Sequence, residues 1–353
     1  MISGRWPVIS GRVGNLGEEG KRMRHPHVML LVGAIALAGC RSGEGTLGGR
    51  TGVNAPPSPS PTLIAFTSNR DGVSNEEIYV MNPDGTNQRN LTKSWGDDFA
   101  PACSPDGTKI AFVSDRPPSR FHFGWYNEAL YVTNRDGTRQ KKLADEYPVA
   151  NASWSPDGST IALTCNYERY VNGFPRRDCE IFVMSPDGTN QVNLTNNGAD
   201  DLDPCWSPDG TKIAFCSNRD SVGPGSDEAR HLGEAEIYVM NADGSNPKRL
   251  TDDPFPDSSP AWSPDGTRIA FASCRGGNTD IFVKNADGTK VRRLTDNLAG
   301  DRQPCWSPDG KKIAFASERD GNWEIYVMNA DGTEQQRLTN NPARDMSPAW
   351  SPS

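Results

Sequence analysis

From Leu63 onward, short apolar runs alternate with polar turns in a pattern that recurs six times. One run, typically Ile-Ala-Phe, begins at Ile64, Ile110, Ile161, Ile213, Ile269 and Ile313. A second, typically Ile-Tyr-Val, begins at Ile78, Leu130, Ile181, Ile237, Ile281 and Ile325. Equivalent runs lie 44 to 56 residues apart. Runs of this length, bounded by Gly, Pro, Asn and Asp, predict β-strands, and their period predicts one structural unit per copy.

Each copy predicts four strands. A short "PxWS" piece precedes "SPDG", which has the residues of a type I turn. The strand "KIAFxS" follows, and "EIYVMN" is rich in the β-branched and aromatic residues that favour strands. A second turn of the "NADG" kind leads to an outer "RLT" strand. Four-stranded antiparallel units repeated six times predict an all-β, six-bladed β-propeller.

The repeated phrase "WSPDGxxIAFxS", followed by "IYVMNxDGxxxxLT", resembles the TolB-type propeller, also called the WD40-like PD40 repeat. The resemblance covers residues 63–352. It implies the fold strongly and the function weakly. The translocation protein that names the family also carries an N-terminal α/β domain, which we do not expect within this sequence.

The first repeat lacks its own "PxWSP" strand, and the last residues supply one. Residues Ser347–Pro352 read "SPAWSP" and are not followed by a second strand. We therefore predict that this segment inserts beside Leu63–Ser68 and closes the ring, since closure removes the exposed edges of an open array.

The N-terminal residues predict export rather than a fold. Residues 1–22 have the character of upstream sequence, and Met23 is the better start. Residues 23–40 contain the apolar run "VMLLVGAIALAGC", which has the layout of a secretory signal. Its end, "LAGC", resembles the lipobox of bacterial lipoproteins, which implies lipidation of Cys40, although an ordinary cleaved signal is the alternative. Residues 41–62, rich in Gly, Ser and Pro, predict a flexible tether before the propeller of residues 63–353. We expect a monomer on the periplasmic face of an outer membrane or on the cell surface.

The formal net charge of −8 and the lack of a basic run argue against nucleic-acid binding. No nucleophile elbow, phosphate loop or "HExxH" occurs, and after the signal only His122 and His231 remain. We therefore favour a non-catalytic scaffold that docks a protein, peptide or glycan. The alternative is a carbohydrate-active or other hydrolytic enzyme that uses Asp and Glu residues of the channel. A TolB-like role in envelope assembly is a third hypothesis.

The turns "SPDG" and "NADG" are uniform, whereas the connections at the other end of each blade vary in length, and variable loops usually carry binding residues. Two loops at that end, 115–129 and 165–179, are rich in aromatic residues and Arg. A binding patch is predicted at Trp95, Phe121, His122, Phe123, Trp125, Tyr126, Tyr167, Tyr170, Phe174, Arg176 and Arg177. The alternative is that these aromatic side chains fold inward over the channel mouth. The periodic Trp of "PxWSP" is predicted to be core.

Acidic and basic residues recur at a fixed separation on the same end. Four pairs are eighteen residues apart: Asp98 with Arg116, Asp201 with Arg219, Asp257 with Arg275, and Asp301 with Arg319. Ring closure would pair Asp345 with Arg70. The third repeat has Val149 and Tyr167 instead, and this joint loss favours structural ion pairs, each contributing about 0–1 kcal/mol if exposed. A ring of Asp holding Ca²⁺ in the channel is the alternative, and no other cofactor or metal is expected.

Seven cysteines remain beyond Cys40. Cys165 and Cys179 bracket the second aromatic loop at the ends of adjacent strands, which favours a disulfide between them in an oxidising compartment.

Overall fold

The computed structural model describes residues 61–72, 75–116, 128–144, 147–171, 174–220 and 235–353. These residues form six four-stranded antiparallel sheets. Within the described ranges there is no helix, and hence none of the length and apolar character needed to cross a bilayer. The innermost strand of every sheet contacts those of the two neighbouring sheets, so the sheets form a closed ring. The predicted six-bladed β-propeller is therefore confirmed.

The first blade combines the two ends of the propeller, and the other blades use consecutive strands. Blade 1 contains β24 (Asp345–Ser351), β1 (Leu63–Ser68), β2 (Glu77–Met81) and β3 (Arg89–Asn90). Blade 2 contains β4 (Asp98–Cys103), β5 (Lys109–Ser114), β6 (Ala129–Asn134) and β7 (Lys141–Ala144), and blade 3 contains β8 (Val149–Trp154), β9 (Ile161–Val171), β10 (Phe174–Met184) and β11 (Val192–Asn193). Blade 4 contains β12 (Asp201–Trp206), β13 (Lys212–Ser217), β14 (Glu236–Asn241) and β15 (Lys248–Arg249), and blade 5 contains β16 (Asp257–Trp262), β17 (Arg268–Ser273), β18 (Asp280–Asn285) and β19 (Arg292–Arg293). Blade 6 contains β20 (Asp301–Trp306), β21 (Lys312–Ser317), β22 (Glu324–Asn329) and β23 (Gln336–Arg337).

Ring closure occurs as predicted. Strand β24 pairs antiparallel with β1, and the register places Trp350 opposite Ile64 and Asp345 opposite Ser68. The indole of Trp350 is buried in a cluster with Ile64 and with Ile325 of blade 6. The C-terminal strand thus completes one blade and packs against the next.

A bulge in the innermost strand positions the residues at its two ends. The residue before the Pro has a positive φ in five blades, namely Ala100, Asp203, Ser259, Gln303 and Ser347. Each lies where the register to the second strand shifts. Because a bulge accommodates one extra residue, the Asp that begins the strand and the Trp or Cys that ends it both stay paired with the second strand. In blade 4, Asp201 lies opposite Ser217, and Trp206 lies opposite Ile213.

The core lies between blades. The Phe of the second strand is fully buried in five blades, as Phe66, Phe112, Phe215, Phe271 and Phe315. The periodic Trp packs toward the preceding blade, and the indole N–H groups of Trp154 and Trp306 donate to the carbonyls of Ala102 and Ala261 at 3.2 and 3.1 Å. The predicted role of the periodic Trp as core is confirmed for Trp306 and Trp350, which are buried.

Candidate functional site

We call the end of the ring that carries the variable connections and the crossings between blades the loop face. All five predicted Asp–Arg pairs are formed there. The Nη2 atoms of Arg70, Arg219, Arg275 and Arg319 lie 2.7, 2.8, 2.6 and 3.1 Å from a carboxylate oxygen of Asp345, Asp201, Asp257 and Asp301, and Arg116 contacts Asp98. The pair between Arg70 and Asp345 spans the ring closure, as the eighteen-residue spacing in the other blades predicted.

These pairs are more buried than the sequence suggested. All five Asp side chains are fully buried, and the Arg side chains are 16–21% exposed. Each guanidinium also lies 4.5–5.5 Å from the centres of two aromatic rings on the second and third strands of its blade. The expected contribution of 0–1 kcal/mol applies to exposed pairs, so it is too small for these, whose separation would leave a buried charge.

The third blade fills the same position with aromatic rings. Val149 stands in place of the Asp, and Tyr167 stands in place of the Arg. The ring of Tyr167 packs 5.9 Å from Phe182 and 5.5 Å from Tyr147, which precedes the blade. An ion pair stacked on two rings is thus replaced by Tyr167 and Tyr147 packed on the single ring of Phe182 in an apolar cluster, since Leu163 stands in place of the second-strand Phe.

A second repeated pair was not recognised from the sequence. In five blades the main-chain N–H at the start of the Ile-Tyr-Val run donates to the hydroxyl of a Thr two residues beyond the outer strand, at 2.8–3.0 Å. In four of them that hydroxyl donates in turn to a buried Glu or Asp immediately before the run. Acid and Thr are always fifteen residues apart, and blade 2 has Ala129 and Ala144 at that spacing. The fixed separation and the joint loss in one repeat were the available signal.

Comparisons with known proteins agree with the fold. A model of the PD40 family, described as the TolB beta propeller domain, matches residues 228–303, and a model of the Tricorn protease N-terminal beta propeller domain matches residues 277–353. A TolB homologue of Chlorobium luteolum is 32% identical over 186 residues, which cover 50% of this chain and 34% of that protein. An uncharacterised protein of Agrobacterium fabrum is 34% identical over 170 residues, which cover 48% of this chain and 49% of that protein.

The crystal structure of TolB from Acinetobacter baumannii superposes with a TM-score of 0.65 over 85% of this chain and 69% of that chain, at 23% identity. The chain carries a TolB-type PD40 β-propeller. It spans between about a third and a half of the length of the curated relatives it matches.

The loop face of the TolB-type propeller presents large apolar side chains at three crossings between blades. Trp95 and Leu298 are fully exposed, and Phe255 is also exposed. They lie in the crossings from blade 1 to 2, from blade 5 to 6 and from blade 4 to 5, respectively. Arg302, four residues after Leu298, places its guanidinium 5.3 Å from the ring centre of the half-buried Trp323. We call Trp95, Phe255 and Leu298 the apolar triad.

The predicted binding patch is described only in part. Trp95 is exposed, whereas Tyr167 packs against Tyr147 and Phe182 in the apolar cluster of blade 3. Phe121, His122, Phe123, Trp125 and Tyr126 lie outside the described residues, as do Cys40 and all N-terminal segments. The side chains of Tyr170, Phe174, Arg176 and Arg177 are likewise outside what the structure describes.

The segment predicted as a second aromatic loop is a long β-hairpin. Strands β9 and β10 each extend over eleven residues and pair without a register shift. Cys165 lies opposite Glu180, and Cys179 lies opposite Asn166. Residues one step apart on a strand point to opposite faces, so this register directs the two thiols away from each other. The structure contains no disulfide between them, so the predicted pairing is not observed.

Among the described residues, three carboxylates converge at the junction of blades 4 and 5. Oxygens of Glu236, Asp253 and Asp257 lie within 4.8 Å of one another. The guanidinium of Arg275 contacts both Asp253 and Asp257, and that of Arg249 lies 2.7 Å from Glu236. The guanidinium groups of Arg249 and Arg275 are therefore the counter-ions of these three carboxylates. The five buried Asp of the pairs are each committed to an Arg, and they do not converge on a common point in the channel.

Asp253 is the unusual member of this group. At the same place, four residues before the buried Asp, other blades have Asn197, Asn297 and Asn341, whose amides donate to that Asp at 2.5–2.8 Å. In blade 5, Asp253 therefore places a second negative charge next to Asp257, where the other blades have an amide donor. Burial, with a smaller contribution from Asp253, raises the pKa of Asp257 to about 6.

We expect Asp253→Asn to stabilise the propeller by about 1 kcal/mol at pH 7, roughly the value of one pKa unit. A carboxyl whose pKa is raised by folding stabilises the protein while it is protonated, and this stabilisation is lost as pH rises through about 6. The substitution removes a like charge and supplies a donor, so the loss of stability between pH 4 and 7 should become smaller. Urea unfolding at a series of pH values measures the difference.

The reciprocal control is Asn197→Asp, which places a second carboxylate beside Asp201. It should destabilise the protein at pH 7, because two carboxylates then lie side by side. Equal stability of Asp253→Asn and the parent at pH 4 and at pH 7 would show that the extra charge is fully compensated by Arg275.

Proposed function

We propose that the propeller is a non-catalytic binding scaffold of the cell envelope that docks a protein partner on its loop face. The observation that carries this proposal is the apolar triad. Single exposed apolar residues are ordinary on protein surfaces, but Trp95 and Leu298 are fully exposed on the same face of a rigid ring. Large apolar side chains at the centre of an interface provide much of its binding energy.

The surrounding polar groups support binding rather than chemistry at this face. The buried Asp side chains that begin the innermost strands are held by Arg, so they fix the crossings between blades. These ion pairs anchor the ends of the crossings, and anchoring before a partner arrives would lower the entropic cost of association. Arg302, in the strand that follows the crossing of Leu298, adds a cationic and aromatic contact point through its position over Trp323.

The predicted signal segment supports export, and the TolB-type relatives fit an envelope location. We propose that the protein is exported and held at a membrane through lipid on Cys40. Mass spectrometry of the mature N-terminal peptide, with growth in globomycin as the comparison, tests this independently of the partner.

We expect the triple substitution Trp95→Ala, Phe255→Ala and Leu298→Ala to weaken recovery of a saturable envelope partner by at least about tenfold, as for hot-spot residues. The measurement is quantitative capture from envelope extract on immobilised propeller, with dissociation constants determined for the recovered species. The matched control is Val192→Ala with Val291→Ala, because both Val side chains are about half exposed and lie at outer strands.

Undiminished binding to the triple variant would overturn the proposal that the triad is the docking surface. Treatment of the extract with protease separates the classes of partner. A protein partner is lost on digestion, and a partner that survives digestion but not glycosidase treatment would be a glycan.

A further inference from the structure

A cavity opens between blades 3 and 4 at the end of the ring opposite the loop face. We call this end the turn face, since it carries the "SPDG" and "NADG" turns. The cavity has a volume of about 490 Å³ and is lined by the ring of Trp206, by Thr160 and by the carboxylates of Asp157, Asp209 and Asp243. All lining residues are described, and none is Lys or Arg. We call this cavity the Trp206 slot.

The same position between blades 5 and 6 is occupied by the chain itself. Arg268 places its guanidinium 4.7 Å from the ring centre of Trp306, and the indole is then only 5% exposed. The repeat supplies the same acidic residues at both positions. Asp265, Asp309 and Asp331 of blades 5 and 6 correspond to Asp157, Asp209 and Asp243 of the Trp206 slot.

One residue decides whether the slot is filled. Thr160 stands at the position of Arg268, immediately before the Ile-Ala run, where blades 2, 4 and 6 have Lys109, Lys212 and Lys312. Thr160 is too short to cover an indole on the next blade, and Trp206 accordingly stays partly exposed. The chain thus contains a filled and an open version of one slot, and the filled version identifies the group that fits.

The open slot is electrostatically prepared for a cation. Hydrogen bonds from Ser155 and Ser159 lower the pKa of Asp157 to about 2. Hydrogen bonds within their turns, first from the Ser207 and Ser245 side chains, also lower the pKa values of Asp209 and Asp243. All three are therefore ionised at neutral pH beside an aromatic face, which is the setting in which a guanidinium gains both charge–charge and cation–π attraction.

We propose that the Trp206 slot binds the guanidinium group of an arginine side chain presented by a partner peptide. The planar guanidinium would stack on the indole as Arg268 stacks on Trp306, with its edge toward the carboxylates. A peptide arginine fits better than free arginine because the α-carboxylate of the free amino acid would be repelled by the same three Asp residues. The slot is on the opposite end of the ring from the apolar triad, so it is separate from the proposed docking surface.

The first test follows the indole N–H signal of Trp206 in a ¹⁵N-correlated NMR spectrum, assigned with Trp206→Phe. N-acetyl-arginine amide should shift this signal saturably, and N-acetyl-citrulline amide, which has the same shape without the charge, should bind about tenfold more weakly. Free L-arginine should also bind more weakly than the amide. Tighter binding of the free amino acid would overturn the peptide as the source.

The second test exchanges the residue types of the open and the filled slot, at positions 160 and 268. Thr160→Arg should fill the slot and weaken the probe at least about tenfold, whereas the matched control Lys109→Arg, at the same repeat position of blade 2 and outside the slot, should leave binding at Trp206 unchanged. Arg268→Thr should open a second slot, so that the indole signal of Trp306 also responds. The proposal is wrong if N-acetyl-arginine amide does not shift the indole N–H signal of Trp206. It is wrong as well if the shift is the same in the Thr160→Arg variant as in the parent. It is also wrong if the indole N–H signal of Trp306 does not shift when the probe is added to a folded Arg268→Thr variant.

Discussion

Deletion of residues 347–353 should destabilise the whole propeller rather than loosen one blade. The deletion removes most of β24, which pairs with β1 along the inside of the ring. It also removes Trp350, whose indole lies in the cluster shared by blades 1 and 6. Loss of one buried Trp costs about 3–5 kcal/mol, and the total stability of a domain is about 5–15 kcal/mol. We therefore expect a fall of at least about 10 °C in the midpoint of thermal unfolding followed by circular dichroism.

A circular permutant separates closure from simple loss of residues. Residues 345–352 are moved ahead of Leu63 and joined to it by the Asp-Gly turn of the other blades, which makes blade 1 contiguous. This variant should regain most of the lost stability, since the same strand pairs in the same register. A truncated protein that melts within about 2 °C of the full chain would show that the ring does not depend on this strand.

Replacement of one buried Arg should have the second largest effect. In Arg219→Tyr, the fully buried Asp201 loses its cation and keeps only the amide of Asn197 as a side-chain donor. Leaving a buried charge without its partner costs about 3–5 kcal/mol, and we expect a value near the lower limit because Arg219 is itself partly exposed. Chemical denaturation at pH 7 measures the loss.

The double variant Asp201→Val with Arg219→Tyr installs in blade 4 the residues that blade 3 has naturally. It should be more stable than Arg219→Tyr alone by at least about 2 kcal/mol, because no charge is left buried. The chain itself shows that Val149 and Tyr167 pack well at this position. If the double variant were as unstable as the single one, lost packing rather than the unpaired carboxylate would explain the effect.

The two kinds of repeated pair show which contacts can be predicted from a constant sequence separation alone. The Asp–Arg pairs were predicted because opposite charges at a constant separation, lost together in blade 3, have one simple explanation. Their burial was not predicted, since the aromatic rings that cover each Arg come from two other strands. The Glu–Thr pairs had an equally constant spacing, but a neutral hydroxyl beside a carboxylate does not suggest an interaction until the strands are seen side by side.

Register explains where prediction failed. Cys165 and Cys179 are close in the sequence of a hairpin, but a disulfide depends on which face each residue occupies, and a change of one residue in register inverts that face. The length of the hairpin was underestimated for a related reason. Alternating aromatic and charged residues between Cys165 and Cys179 fit an exposed two-stranded ribbon as well as they fit a loop.

The sequence by itself determined the repeat, the number of blades, the completion of blade 1 by the C-terminal strand and the partners of the ion pairs. These properties follow from periodicity, and a periodic chain must satisfy the same hydrogen bonds and the same core in every copy. Only the tertiary structure decided which side chains remain open to a partner. Trp206 differs from Trp306 through a residue of the preceding blade, and Trp95 and Leu298 are exposed because nothing folds over their crossings among the described residues. Exposure depends on what neighbouring blades place over a side chain, and periodicity within one repeat does not contain that information.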